Sequence, residues 1–186
     1  AGVTTLSNSQ TLFWTPPAGQ TGTMTAYTLR AYDGHNYSTG VFAVSATVFV
    51  DNTTLAGWTS AKGLSGTDAE DAADPENDGL GNALEYVLGL DPVTNNTNPM
   101  TSTVGGGYLT LTFPRADMSE NDMSFGVEVS SDLTNWTVYW ISGVSTTASG
   151  VIITVNENGD ANDTITVQIP TSSSTRLFSR LRAEVD

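Results

Sequence analysis

The stretch Asp74-Pro75-Glu76-Asn77-Asp78-Gly79-Leu80-Gly81-Asn82-Ala83-Leu84-Glu85 is the one place in this chain where spacing dictates chemistry, and the sequence on either side of it reads as β-structure. Oxygen-bearing side chains stand at the first, third, fifth, ninth and twelfth positions, with glycine at the sixth. That is the spacing of a twelve-residue calcium loop of the EF-hand kind. Asp74, Glu76 and Asp78 alternate with non-ligands, so a tightly wound loop turns all three carboxylates inward. Gly79 permits the sharp turn, and Leu80 offers its main-chain carbonyl while its side chain enters a core. Asn82 stands at the ninth position, where coordination is direct or through water, and Glu85 closes the shell with both oxygens. Four carboxylates around one point repel one another without a cation, so binding is expected to be coupled to folding of this segment.

Leu80, Leu84, Val87 and Leu88 recur at helical spacing and predict a short helix leaving the loop. Gly89 stands where a left-handed residue ends such a helix, and Pro92 prevents its resumption. Two features depart from the usual loop. Glu76 is longer than the Asp or Asn common at the third position, and Gly81 replaces the apolar residue expected at the eighth, where paired loops bridge. A solitary structural site fits this better than a paired regulatory one.

Downstream, residues 93–106 read as a Thr/Asn/Gly-rich connector, with Gly105-Gly106-Gly107 as a flexible joint. Beyond it, alternation and turn residues predict strands at about 107–114, 123–130, 135–142, 150–156, 164–169 and 176–184. Six strands with regular turns point to an antiparallel sandwich. Trp136, Val138 and Trp140 share one face by the two-residue period, and that face is expected to be core rather than a sugar platform.

Upstream, 52–67 reads as a linker in which Trp58 is a packing anchor, and Thr67-Asp68-Ala69-Glu70 has capping-box spacing for a short helical turn through Ala73. Residues 1–51 alternate as strands at about 11–15, 23–32 and 41–50. A hairpin signal, Asp33-Gly34-His35-Asn36, separates the last two.

The run Leu12-Phe13-Trp14-Thr15-Pro16-Pro17-Ala18, with Gly22, Tyr27 to Gly34, Ser38, Val44 and Val48-Phe49-Val50, resembles the closing half of a bacterial cadherin-like or Ig-like repeat. The loop resembles the calcium-binding repeats of dockerins and thrombospondin type 3. Residues 74–92 are followed by Tyr108 to Arg115, Val127 to Trp136 and Arg176 to Arg182. Together these are similar to the C-terminal region of large secreted proteins of planctomycete and verrucomicrobial bacteria. The resemblance implies location and architecture, not a reaction. The expected fold is mainly β: antiparallel Ig-like β-sandwich modules joined by a short calcium-loop–helix segment. Its parts are a partial repeat at 1–51, the loop and helix within 52–106, and a sandwich at 107–186.

The chain of 186 residues carries 20 acidic residues against 6 basic ones, a net charge of −14, so nucleic acid and anionic membrane surfaces are repelled and divalent cations are natural partners. No apolar run approaches the ~20 residues of a membrane helix. With no cysteine, extra support must come from packing or metal. One histidine and no cysteine cannot build a zinc site. His35, beside Asp33 and Ser38, reads as a turn residue rather than part of a triad. Asn156, Glu157, Asn158, Asp160 and Asp163 match no coordination spacing and read as a polar turn. The expectation is therefore a non-enzymatic, extracellular, calcium-stabilised structural or adhesive protein of a bacterial surface. An incomplete N-terminal β segment suggests self-association through strand edges, as in a filament or sheath. A glycan or cell-surface partner is also expected, and the alternative reading is a carbohydrate-binding or spacer module of a secreted polysaccharide-processing protein, with Tyr139 or Trp58 as the platform.

Overall fold

The computed structural model describes residues 13–15, 22–48, 53–159, 161–172 and 176–186, and the chain divides into two compact units, 1–50 and 51–186. Among the described residues it is mainly β, with ten strands in three antiparallel sheets and two α-helices.

In the first unit, β1 (Gly22–Leu29) pairs with β2 (Phe42–Val48) as an antiparallel hairpin. Threonine, tyrosine and valine favour the pleated conformation. Thr23 and Thr47 stand opposite each other with their hydroxyls 2.9 Å apart. The connection turns as expected at Asp33, whose Oδ1 accepts the N–H groups of His35 and Asn36 at 2.8 Å each. These bonds hold the Asp33 carboxyl below its ordinary value. His35 is thus a turn residue. Of the strand expected at 11–15, residues 13–15 are not in a strand. Residues 11 and 12, and the Pro16-Pro17 stop, lie outside the described residues.

The second unit begins with α1 (Leu55–Ala61), where sequence reading expects only linker. The Thr54 hydroxyl caps its start by accepting the Gly57 N–H at 3.2 Å. A 3₁₀ turn at Gly66–Ala69 follows. It begins after Ser65, which makes no side-chain capping bond, and Glu70 closes it, so the expected capping box at Thr67 does not form. Then come the loop and α2 (Asn82–Leu88), which ends at Gly89 in the left-handed conformation, φ 70°. Leu90 N–H returns to the Glu85 carbonyl, and the Ala116 N–H reaches the Val87 carbonyl.

Eight strands follow: β3 (Thr101–Gly105), β4 (Tyr108–Arg115), β5 (Met123–Ser130), β6 (Thr137–Ile141), β7 (Thr146–Ala148), β8 (Val151–Asn158), β9 (Ala161–Pro170) and β10 (Phe178–Val185). They form a five-stranded sheet, β3-β4-β9-β8-β7, and a three-stranded sheet, β10-β5-β6. The alternating residues Leu111 and Phe113 of β4, and Ile165, Val167 and Ile169 of β9, face Phe125 and Val127 of β5 across the core. Phe113 and Phe125 meet edge to face at 5.5 Å. Each such buried side chain contributes about 1.5–3 kcal/mol.

Both helices enter this same core. Trp58 is buried against Tyr86, ring centroids 5.3 Å apart, and Tyr86, Val87 and Leu88 are almost wholly enclosed. The packing role expected for Trp58 holds, and its burial removes it as a carbohydrate platform. Within the expected connector, 101–105 is the edge strand β3, and Gly106 and Gly107, both at positive φ, make the tight β3–β4 turn rather than a flexible joint.

The face shared by Trp136, Val138 and Trp140 is the outer face of the three-stranded sheet, not the core. Tyr139 and Ile141 of the same strand turn inward, and Trp140 is 44% exposed. The two-residue period groups these residues correctly, but the inward set is the other one. Arg180 stacks over Trp136 at 4.2 Å and Arg182 lies over Trp140 at 5.8 Å. Both guanidinium groups also clasp Glu128, only 3% exposed between them.

Candidate metal centre

The backbone winds the loop as its residue types require. Asp74 Oδ1 accepts the Asp78 N–H at 3.0 Å and its Oδ2 accepts the Gly79 N–H at 2.9 Å, while Asp78 Oδ1 accepts the Leu80 N–H at 2.8 Å. Gly79 takes φ 91°, a conformation in which any Cβ is strained, and Asn77 also lies in the left-handed region. The result brings one carboxylate oxygen each of Asp74, Glu76 and Asp78 within 4.8 Å of one another.

Glu85 arrives from α2 and is fully buried. Burial first, then the charges of Glu76 and Asp78, push its pKa up to about 8, against an opposing bond from Asn96. Its Oε1 accepts Asn96 Nδ2 at 2.8 Å, whereas Oε2 accepts no hydrogen bond. Both oxygens of Glu76 are likewise buried without a donor. None of the described ion pairs reaches these carboxylates. Buried carboxylate oxygens without donors are costly; a proton on Glu85 eases part of that cost, and a hard divalent cation would satisfy the oxygens together. Asp74, Glu76 and Asp78 are thus a group that could hold a hard divalent cation.

The two remaining expected ligands behave differently. Leu80 is 6% exposed, so its side chain is buried as expected. Asn82 spends its amide on closing the loop: Nδ2 donates to the Asp68 and Glu70 carbonyls at 2.9 and 2.8 Å, and only Oδ1 is left without a donor. The main chain reinforces that closure, with Asn82 N–H on the Ala73 carbonyl and Ala83 N–H on the Asp71 carbonyl, each at 2.9 Å. Gly81 explains itself here. A Cβ at this position would come within 3.3 Å of the Ala72 backbone, so glycine lets the loop's exit pair with its own entry. The solitary loop closes on itself where paired loops would bridge each other.

Sequence reasoning missed Asn96, whose main-chain N–H donates to Asp78 Oδ2 at 2.6 Å as its amide holds Glu85. It lies beyond α2, outside any loop-spacing rule.

A second acidic group, Glu120, Glu157 and Asp163, carries its own counter-ion. Arg115, 4% exposed, pairs with Asp163 at 3.0 Å, with Glu120, and with Glu157 at 3.7 Å. Glu157 and Asp163, read from sequence as parts of a polar turn, thus belong to an ion-pair cluster in which Arg115 and Asp163 are buried and Glu157 is exposed; Asp160 lies outside the described residues. No described helix is long and apolar enough to cross a membrane. Compared with protein-family models, curated proteins and solved structures, the chain matches none.

Proposed function

We propose that this chain is a calcium-stabilised, non-enzymatic β-module of an extracellular bacterial surface protein, structural or adhesive in role. The observation that carries the reading is Glu85: a fully buried carboxylate with a donorless oxygen, set against the equally donorless Glu76. Calcium, abundant outside cells, would be held by Asp74, Glu76, Asp78 and Glu85, with the Leu80 carbonyl and Asn82 Oδ1 as the remaining protein oxygens. It would act as a permanent clamp, replacing the cross-links that a chain without cysteine cannot make. Calorimetric titration of the chelator-treated protein with calcium should give one binding event that Asp78→Ala abolishes. No heat with the wild-type chain would refute the site.

Assembly through strand edges belongs to the same reading. The β1–β2 hairpin has no third strand among the described residues, and Phe42 on it is 70% exposed. Light scattering in calcium should report a species larger than one chain; a stable monomer across concentrations would end the filament reading.

A carbohydrate-binding role is the alternative. Tyr139 packs against the core and Trp58 is buried, so the platform this reading requires moves to Trp140. Glycan-array binding lost in Trp140→Ala would favour it, and a silent array would count against it.

A further inference from the structure

We infer that Asn96 is a positioning residue of the cation site and that it leaves Glu85 a single oxygen for the ion. The inference rests on the calcium reading above and specifies how the shell is filled. Two donors of Asn96 reach the loop: its main-chain N–H to Asp78 Oδ2 at 2.6 Å and its Nδ2 to Glu85 Oε1 at 2.8 Å. The amide sits among further acceptors, because Nδ2 also lies 2.8 Å from the Asp91 carbonyl and 2.6 Å from that of Thr94, so its two N–H groups are shared among three oxygens. Asp91 in turn holds Lys62, at the end of α1, at 2.7 Å. The anchor is therefore tied to the body of the unit rather than to the loop.

The two oxygens of Glu85 are consequently unequal. Oε1 is engaged by the Asn96 amide, while Oε2 is buried, accepts no hydrogen bond and belongs to a side chain that is 0% exposed. This is an observation independent of the clustering of Asp74, Glu76 and Asp78. A glutamate at the twelfth loop position ordinarily gives calcium both oxygens. Here the Asn96 bond takes up one lone pair of Oε1 and sets how the carboxylate is turned, so the donorless Oε2 is the oxygen offered to the ion. The coordination position so released is filled by water.

Terbium(III), a luminescent stand-in for calcium, tests this on the whole chain. Its emission lifetimes in H₂O and D₂O count the water molecules on the bound ion. Asn96→Ala frees Glu85 to supply both oxygens, so the ion should lose about one bound water, while affinity falls roughly tenfold to a hundredfold as an orienting partner is removed. Asn96→Leu, which keeps side-chain bulk and lacks the donor, should show the same loss of water. A mere packing role for Asn96 would weaken binding without changing the water count. An unchanged water count in both variants overturns the inference and leaves the cation site standing. Failure of the wild-type chain to bind terbium at all overturns the inference and the calcium reading together.

Discussion

Arg115 and Glu85 show two ways in which buried acidic groups are made tolerable. Around Arg115, Asp163 at 1% exposure and the half-exposed Glu120 and Glu157 share a guanidinium supplied by β4. Removing one partner of a buried pair leaves the other charged and desolvated, so Arg115→Ala should cost about 3–5 kcal/mol in denaturant unfolding. The double change Arg115→Met with Asp163→Leu should recover much of that loss. Glu85 has no such partner. Its carboxyl, pushed up to about 8, is mostly protonated at neutral pH without a cation, and a neutral amide of the same shape mimics it. Glu85→Gln should therefore leave the melting temperature in chelator little changed and erase the response to calcium.

At the scale of the element, the three-stranded sheet owes its outer face to one close approach. A Cβ on Gly126 would meet the Tyr139 carbonyl at 2.9 Å and Trp140 Cε3 at 3.0 Å, so Gly126→Ala must shift β6 and should cost about 1–3 kcal/mol by chemical denaturation. On the same face, burial raises the Glu128 carboxyl, but the hydrogen bonds from Arg182 and Arg180 outweigh it and bring its pKa below the ordinary 4.5. A carboxyl with a lowered native pKa stabilises the fold fully above its unfolded value, and the gain disappears as pH falls through the native one. The stability gap between the wild-type chain and Glu128→Gln should accordingly be constant near neutrality and close below about pH 4. A gap that persists in acid would contradict this.

The same elements show what was legible in the sequence. Strands such as β4, β5 and β9 declare themselves because alternate residues meet the core. Edge strands β3 and β7 do not, since all their side chains are exposed and no apolar alternation is needed. Trp136, Val138 and Trp140 mark a shared face, but periodicity carries no sign, and the guanidinium partners that make an outward tryptophan face acceptable come from β10. The gathering of Asp74, Glu76 and Asp78 was readable from spacing alone. Asn96 was not, because its place beside Glu85 follows from how the chain returns after α2, which no local pattern encodes.

At the scale of the whole molecule, 51–186 forms one unit in which two helices and two sheets share a core, and the loop is wound onto that core through Glu85 and Asn82. A chain of residues 51–186 alone should thus retain the calcium response of the full protein. Binding to the native state stabilises it by about 2.7 kcal/mol at a hundredfold excess over the dissociation constant, which for a unit of this size is a rise of roughly 8–10 °C. The most direct test is calorimetric unfolding of the full chain in chelator and in saturating calcium, beside Glu85→Gln. In calcium the transition of the 51–186 unit should rise by about that size in the wild-type chain and not at all in the variant. Identical wild-type transitions in chelator and in calcium would contradict it.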